Sequence, residues 1–541
     1  MKETLPEIHE KTKTEIPGNV EKALLHIPEN AGTEIYGNAV AFEVELSEII
    51  KVIRKIYKDN SVDLKLITAT DERKEQGCFK IWYILGKPEE NVFIIPYIRL
   101  KDTFEFPSLT PVIHQAWNHE RKIRSFFGLI PVGHPDTRPI ILHENWPAEK
   151  YPLRKDFEWN ERPEAATGAY SFQKVTGEGI YEIPVGPVHA GIIEPGHFRF
   201  SVAGEEIMLL EPRLGFTHKG SEKLFERLSL REKVRLSEKL SGDSSFSHSL
   251  AFCRTLEQLA SISVTKRASY LRVIYAELER LANHFGDIGA IMLDTGYNFG
   301  GSHGTRLREM IMRINERLTG SRFLRGVNLP GGVTRDIDKN DAILIAKELE
   351  KIEEDFTEIV EIAEGSASLL NRMKSTGILQ MDIAKDHGAV GVAARAVGIM
   401  RDARIDFPYA AYKELGFSRF DTEKDGDVYA RFSVRVKEVY SSIVIIKKAL
   451  HALPDGRICA GDLDSIVFAK NAFSIGIVEG WRGDVVYFVT TDESGNISRV
   501  APRDPSFVNW SLLEYAGPGN IVPDFPLINK SFNLSYSGND L

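Results

Sequence analysis

Cysteine is nearly absent from this sequence. Its 541 residues include three cysteines, Cys78, Cys253 and Cys459, and no two of them are close enough in sequence to form a CxxC pair. A disulfide framework is therefore not expected to hold the fold together, and neither is a metal site built from paired cysteines. Because an iron–sulfur cluster normally takes four thiolates, this chain cannot ligate one alone.

Long apolar runs and an excess of positive charge are also missing. No uninterrupted apolar stretch approaches the roughly 20 residues that cross a bilayer, and the charged opening segment lacks a signal-peptide stretch. The 77 acidic residues outnumber the 68 basic ones, giving a net charge of −9 without clustered lysines and arginines. This argues against a nucleic-acid surface. We expect a cytoplasmic protein that reaches the inner face of the membrane only through partner subunits.

What is present is a globular composition, 43% hydrophobic and 27% charged, in a chain long enough for two or more domains. Residues 1–160 predict a small α+β domain, since short β-branched runs alternate there with polar turns. The predicted elements are a helix near 45–58, strands at 62–68, 78–85 and 92–100, and a helix over 109–127. Residues 161–181 are polar and lack a sustained period, which predicts a linker.

The second domain, residues 182–541, is predicted to be mainly helical. Apolar residues recur at spacings of three and four in three stretches, 271–285, 345–363 and 432–450, as on one face of a helix. Residues 484–500 predict a hairpin with a Glu-Ser-Gly-Asn turn. The fold class is therefore an α+β N-terminal domain followed by a helix bundle with small β elements at its ends.

Two loops carry the most distinctive residues of the chain. Residues 116–157 combine a helix with a Pro-fixed loop of alternating charge, a pattern more typical of a docking surface than of a catalytic one. Residues 186–200, GPVHAGIIEPGHFRF, hold His189 and His197 between glycines and prolines. Taken alone, these histidines could be metal ligands, proton donors or ordinary hydrogen-bonded loop residues.

Together these loops resemble a known family. Residues 116–157, with FG, GHP and PLRKDF, are similar to the small peripheral-arm subunit of respiratory complex I. Residues 186–200 and 212–224 resemble the start of the large subunit of group 4 energy-converting hydrogenases of the hydrogenase-4 and formate hydrogenlyase type. The ending, from residue 501 onward, is similar to that of complex I. The resemblance implies a fused catalytic subunit of this family, and it covers nearly the whole chain.

The cysteines that hold nickel and iron in such hydrogenases have no counterpart here. Where the family has CGxCGFAHS, this chain has SGDSSFSHS at 241–249, so that Ser241 and Ser244 replace two thiolates. Where the family has DPCxxC, Ser506 and Asn509 replace the other two. A serine hydroxyl is a hard oxygen and cannot stand in for a soft thiolate. We therefore expect no nickel–iron centre and no hydrogenase activity.

In complex I the corresponding region binds quinone, and the resemblance implies site residues for this chain. A loop histidine carries over as His197, less securely His189, and a supporting aspartate as Asp294. The tyrosine that donates a proton to quinone falls on Gly242 in an ungapped alignment and does not carry over. Asp243 would lie in the same pocket, where a histidine backed by a carboxylate can relay protons. A further alternative is iron or zinc held by His189, His197 and Asp243.

The resemblance implies an oxidoreductase subunit of an NADH dehydrogenase- or hydrogenase-like complex. Its expected partners are a small subunit that holds an iron–sulfur cluster and membrane-arm subunits that translocate protons or other ions. This chain alone is expected to bind no cofactor, and quinone is the candidate acceptor. The alternative is a coupling or scaffold subunit that transmits redox or proton changes without reducing a substrate.

Overall fold

The N-terminal part of the chain is built around a five-stranded sheet. The structure, a computed structural model, describes residues 32–58, 61–191 and 193–541. The strands lie in the order Thr33–Tyr36, Ala39–Glu43, Val92–Leu100, Cys78–Lys87 and Asp63–Glu72. Ala39–Glu43 runs parallel to Val92–Leu100, and the other neighbours are antiparallel. The three predicted strands are confirmed, as is the first helix, Ile49–Tyr57. The first two strands were not predicted.

The second predicted helix begins later than its sequence suggests. Residues 109–113 form a turn, and the regular helix spans Trp117–Phe127. The reason is the buried carboxylate of Glu120, which accepts hydrogen bonds from the backbone N–H of Leu109 and from the hydroxyls of Ser108 and Thr110. These bonds satisfy the turn without a helical backbone. The predicted start at residue 109 is therefore wrong.

Both faces of this sheet are covered. One face packs on the Ile49–Tyr57 and Trp117–Phe127 helices, and the other packs on a sheet from the end of the chain. In this second layer the Trp82 and Phe488 rings lie 5.3 Å apart, and Phe93 stacks on Phe407 at 4.7 Å. Burial on two sides explains why the strand sequences are nearly continuous apolar runs instead of alternating ones.

The loop after the second helix faces inward. Arg138, in the GHPDTR motif, pairs with Asp136 at 2.8 Å and with Glu211 at 2.5 Å on the Glu206–Arg213 strand. Nearby, Glu222 accepts from both Lys122 and Arg499; Glu222 and Arg499 are buried, and Lys122 is partly buried. The loop and the helix that precedes it thus bind the two halves of the chain together. The domain limits at 160 and 182 stay a prediction.

The C-terminal part is mainly helical, as predicted. Its centre is the Lys266–Asp294 helix, which packs on Asn298–Thr319 and on Val428–His451. The first pair approach closely, since a Cβ on Gly304 would lie 2.5 Å from the Cα of Gly289. All three periodic stretches are confirmed as parts of helices.

The remaining elements are short apart from one long helix. The helices are Arg73–Gln76, Ser221–Leu224, Leu230–Ser237, Ser245–Leu259, Lys339–Gly365, Ala367–Met373, Met381–Asp386, Gly391–Arg395, Ala403–Asp406, Pro505–Asn509, Leu513–Ala516, Phe525–Phe532 and Tyr536–Asp540. The strands are Glu105–Pro107, Ile130–Val132, Ile180–Val185, His197–Ala203, Glu206–Arg213, Asn328–Leu329, Gly332–Val333, Phe473–Gly480, Gly483–Thr491 and Ile497–Arg503.

Two small sheets frame the helices. Ile180–Val185, His197–Ala203 and Glu206–Arg213 form one at the start of the second part, and Phe473–Gly480, Gly483–Thr491 and Ile497–Arg503 form the other near its end. The predicted hairpin is confirmed, and together these sheets confirm the predicted fold class. Within the described residues, no helix combines the length and apolar character needed to cross a membrane.

Candidate functional site

The four positions that replace thiolates are all buried, and three of them join one hydrogen-bond network. Ser241 and Ser244 precede the Ser245–Leu259 helix, whereas Ser506 lies in the helix Pro505–Asn509. Ser535 links them, because its hydroxyl oxygen lies 2.9 Å from that of Ser241 and its backbone N–H donates to the Ser506 hydroxyl at 3.0 Å. The fold therefore brings distant serines into one site.

Asn509, the fourth position, faces elsewhere. Its side-chain oxygen accepts from the Val390 N–H, and its amide donates to the Val390 carbonyl, both at 3.1 Å. Its role in the described structure is to hold the backbone of residue 390.

The centre of the network is an ion pair between Arg482 and Asp243. Both guanidinium NH₂ groups donate to the carboxylate at 2.7 Å, and the Ser241 and Ser244 hydroxyls donate to the same carboxylate at 3.0 and 3.3 Å. Burial opposes ionisation, but the Arg482 charge outweighs it and lowers the pKa of Asp243 to about 2. Asp243 is therefore an anion fixed by its partner.

These residues do not fit a nickel–iron centre. The thiolate positions carry hydroxyls and an amide, and the Arg482 guanidinium lies 3.4 Å from both the Ser241 and the Ser244 oxygens. A cation in that place repels a metal ion, and hard oxygens do not replace thiolates. In the described part of the chain, no group of three or more His, Cys, Asp or Glu side chains is arranged to hold a metal. The alternative of iron or zinc on His189, His197 and Asp243 therefore gains no support.

The two loop histidines are half-buried and bound to their own loop. The His189 Nε2 lies 2.7 Å from the Gly196 carbonyl, and the His197 Nδ1 lies 3.2 Å from the Gly186 carbonyl. Since a carbonyl can only accept, each of these nitrogens carries a proton. Burial, with Arg199 and His189 nearby, lowers the pKa of His197. His197 is thus a neutral imidazole at neutral pH, and its Nε2 receives only a long bond of 3.4 Å from Arg199.

The same loop presents apolar side chains to solvent. Val188 is 83% exposed and Ile193 is 45% exposed, so two apolar side chains of one loop lie at the surface. The arrangement suits contact with an apolar molecule or surface.

Asp294 is not brought to this network. It is exposed at the end of the Lys266–Asp294 helix. Asn283, whose amide donates to the Asp243 carbonyl at 2.9 Å, lies eleven residues earlier, which is about 16 Å along a helix. The aspartate closer to the network is Asp287, which pairs with Arg435 at 2.9 Å and accepts from Asn533 at 2.5 Å.

Several residues of the site carry no signal that sequence reasoning could use. Ser535 and Tyr536 come from a segment without a motif, yet the Tyr536 ring packs directly against Gly196, beside His197. Glu279 is buried under the serines, where it accepts from the Phe246 N–H and the Ser247 hydroxyl. Burial raises the pKa of Glu279 to about 7, and the charge of Asp243 adds to the effect. Glu279 therefore changes its protonation near neutral pH.

A second buried pair supports the network from behind. The His248 Nε2 lies 2.8 Å from the Asp504 carboxylate, and the His248 Nδ1 lies 3.0 Å from the Tyr487 hydroxyl. Burial opposes ionisation of Asp504, but the bond to His248 and the nearby Arg482 lower its pKa below the usual value. Asp504 also accepts from the Ser506 N–H at 2.7 Å, which fixes the start of that helix.

Comparison with known proteins agrees with this architecture. Residues 42–163 match the family described as the 30 kDa subunit of respiratory-chain NADH dehydrogenase, and residues 294–475 match its 49 kDa subunit. Two parts of the site lie outside both matched ranges. One is the histidine loop, residues 186–197, and the other is the serine network, formed by Ser241, Asp243, Ser244, Arg482, Ser506 and Ser535.

Individual relatives match over most of their length. Formate hydrogenlyase subunit 5 of Escherichia coli is 34% identical over 505 residues, covering 92% of this chain and 88% of that protein. Hydrogenase-4 component G of Escherichia coli is 34% identical over 534 residues, covering 98% and 91%. The NADH-quinone oxidoreductase C/D protein of Phocaeicola vulgatus is 28% identical over 462 residues, covering 82% and 88%. This chain therefore belongs to the family of fused 30 kDa and 49 kDa complex I-type subunits that includes these hydrogenase and NADH-quinone oxidoreductase components.

Proposed function

We propose that this chain is the large electron-transfer subunit of a membrane-associated oxidoreductase complex that works without a nickel–iron centre. Electrons pass from an iron–sulfur cluster in a neighbouring small subunit to a quinone or another apolar acceptor. Membrane-arm subunits couple this transfer to the translocation of protons or other ions. The chain itself has a peripheral place in the complex, on the inner face of the cell membrane.

The loop at residues 186–197 carries this proposal. It combines exposed apolar side chains, Val188 and Ile193, with two half-buried imidazoles. An apolar acceptor gains from contact with the first, and a polar head group gains from hydrogen bonds to the second. With its Nδ1 proton given to the Gly186 carbonyl, the His197 Nε2 is the nitrogen that remains for an acceptor or for a proton relay.

The network beside the loop offers a route for coupling. The Asp243–Arg482 pair is a fixed charge pair, and Glu279 can gain or lose a proton near pH 7. An electron that arrives nearby favours proton uptake at such a group, because the added negative charge raises its pKa further. Proton uptake at Glu279 would then alter the hydrogen bonds that hold the start of the Ser245–Leu259 helix.

A second candidate, a coupling or scaffold subunit that reduces nothing itself, is favoured by a different observation. Each loop histidine uses one ring nitrogen to donate to a backbone carbonyl of its own loop, and Asp294 is exposed at the end of its helix. Gly242 also leaves no tyrosine at the position where the family's quinone-binding members have one. In that case the loop histidines and the serine network would serve only to hold the structure together.

Replacement of His197 separates the two candidates. In the whole complex, His197→Ala should reduce quinone reductase turnover by about 100-fold if the imidazole relays a proton. His451→Ala is the matched control, because His451 is an exposed histidine at the end of the Val428–His451 helix. If His197→Ala keeps the turnover of the control, the loop is not the reducing site and the second candidate is favoured.

A further inference from the structure

A cleft of about 490 Å³ lies between the N-terminal sheet and the C-terminal part of the chain. It is lined by the end of the Ile49–Tyr57 helix, by the start of the Asp63–Glu72 strand and by residues 384–401. Its volume is in the range of small-molecule sites. The cleft is separate from the histidine loop and the serine network, since its described lining contains none of their residues.

The described lining of the cleft is rich in cations. One of its side chains, Asp63, is a carboxylate. Four are basic: Lys65, Lys385, Arg401 and Arg503. Lys65 and Arg503 share Asp484, and Arg401 pairs with Asp63 at 3.1 Å. Asp63 and Asp484 thus pair with three of these cations, and the fourth, Lys385, is exposed. Two further carboxylates lie near the rim: Asp386 is close to Tyr57, and Asp406 is close to Lys65 and Arg401.

The lining of the cleft includes one buried donor that has no matching acceptor among the described residues. Arg503 is only 2% exposed, yet its Nε–H has no hydrogen-bond partner among the described residues. A buried donor left unpaired loses its hydration without a replacement, and the loss is larger when the group is charged, so such a group calls for a ligand. Burial and the nearby Asp63 raise the pKa of Tyr57 to about 12, which keeps its hydroxyl protonated as a further donor.

The rest of the lining is apolar. Its apolar side chains are those of Val62, Leu64, Val390 and Ile399. An apolar wall with a few convergent polar groups is the usual construction of a small-molecule site. We propose that this cleft binds a small organic anion, a carboxylate or a phosphate ester with an apolar body, whose charged group lies on Arg503 and Arg401.

The position of the cleft connects it to the serine network. Val390 lines the cleft, and the next residue, Gly391, packs against the backbone of Arg482. The approach is so close that a Cβ on Gly391 would lie 2.0 Å from the Arg482 carbonyl oxygen. The backbone of Val390 is in turn held by Asn509. A ligand that contacts Val390 would therefore act on a segment that packs directly against the hairpin carrying Arg482.

Binding can be tested with two probes, phenyl phosphate and benzoate, and with benzamide as a neutral compound of similar shape. The full-length chain and the assembled complex are both titrated by calorimetry, and hydrogen exchange is followed over residues 384–401. We expect at least one anion to bind and to slow exchange there, and benzamide to bind about tenfold more weakly or worse. The stronger of the two anions identifies the phosphate or the carboxylate as the preferred group.

Arg401→Gln should weaken anion binding about tenfold or more. Its control is Arg317→Gln, because Arg317 forms a similar part-exposed pair with Glu348 at 2.7 Å, outside the cleft lining. The proposal is overturned if neither anion binds, if benzamide binds as well as the anions, or if both variants behave alike. It is also overturned if binding to the isolated chain vanishes in the assembled complex, since a partner subunit then fills the cleft.

Discussion

Arg482 and Asp243 face each other in a two-pronged ion pair, with both nitrogen–oxygen distances at 2.7 Å, although the two residues lie 239 positions apart in the chain. The pair lies among the serines that replace the family's thiolates. A guanidinium–carboxylate pair thus lies where the resemblance to nickel–iron hydrogenases would place a site built from soft thiolates. This relationship underlies the proposal that the chain transfers electrons without nickel.

The first prediction concerns the stability that this pair provides. Asp243→Asn should lower the free energy of unfolding by about 3 kcal/mol, because it leaves the buried Arg482 guanidinium without its counter-charge. Urea denaturation of the purified chain measures the change. Glu348→Gln is the control, since the exposed pair of Glu348 with Arg317 should contribute less than about 1 kcal/mol. Equal losses in the two variants would show that the buried Arg482 does not depend on Asp243 for its counter-charge.

The second prediction is a pH dependence that comes from Glu279. Its pKa in the folded chain, about 7, lies above its ordinary value of 4.5. Between these values the folded state binds more protons than the unfolded state, so stability falls as pH rises from about 4.5 to 7 and is level above that. The full difference corresponds to about 3 kcal/mol.

Glu279→Gln should remove this dependence while it keeps an acceptor for Phe246 and Ser247. Denaturation midpoints of the variant and of the wild type are compared at about pH 5, 6, 7 and 8, which spans the shifted titration. The difference between the two curves should change across this range for Glu279→Gln and stay flat for Glu361→Gln, which alters an exposed helix position. A flat difference for both would contradict the raised pKa.

The third prediction separates the positions that replace thiolates. Asn509→Ala should cost about 2 kcal/mol, because it leaves the N–H and the carbonyl of Val390 unpaired in a buried place. Ser244→Ala should cost clearly less, since Asp243 keeps its Arg482 and Ser241 partners. Thermal or urea unfolding of the two variants measures this order. The reverse order would mean that Ser244, and not Asn509, organises the site.

The fourth prediction concerns metal content. The whole complex, purified from cells grown with added nickel, should contain iron from the partner's cluster and no stoichiometric nickel. The reason is that Ser241, Ser244 and Ser506 present oxygens, with the Arg482 charge beside them. Elemental analysis by mass spectrometry measures both metals. One nickel per chain would contradict the assignment of these positions.

The fold was largely predictable from the sequence where its signals are local. The three helical stretches and the 484–500 hairpin follow from apolar periodicity and turn residues, and they are confirmed. The strand pair Thr33–Tyr36 and Ala39–Glu43 was missed because it is short and lacks a clear alternation. The start of the second helix was misplaced because Glu120 captures residues 108–110 through tertiary hydrogen bonds.

The site was predictable only in part. The loss of thiolates at Ser241 and Ser244 can be seen in the sequence. The side chains that contact these two serines in the folded chain cannot. Arg482 and Ser535 reach the site from hundreds of residues away, and no periodicity or spacing connects them to it. The role of Asp294 as the aspartate that supports a loop histidine stays a prediction.

Re-oxidation of the partner's reduced iron–sulfur cluster tests the central claim most directly. The whole complex is reduced, mixed in a stopped-flow instrument with or without a quinone, and followed through the absorbance of the cluster. We expect quinone to accelerate re-oxidation to at least the rate of turnover, with the acceleration lost in His197→Ala and kept in His451→Ala. A rate that no quinone changes would contradict electron transfer to quinone through this chain.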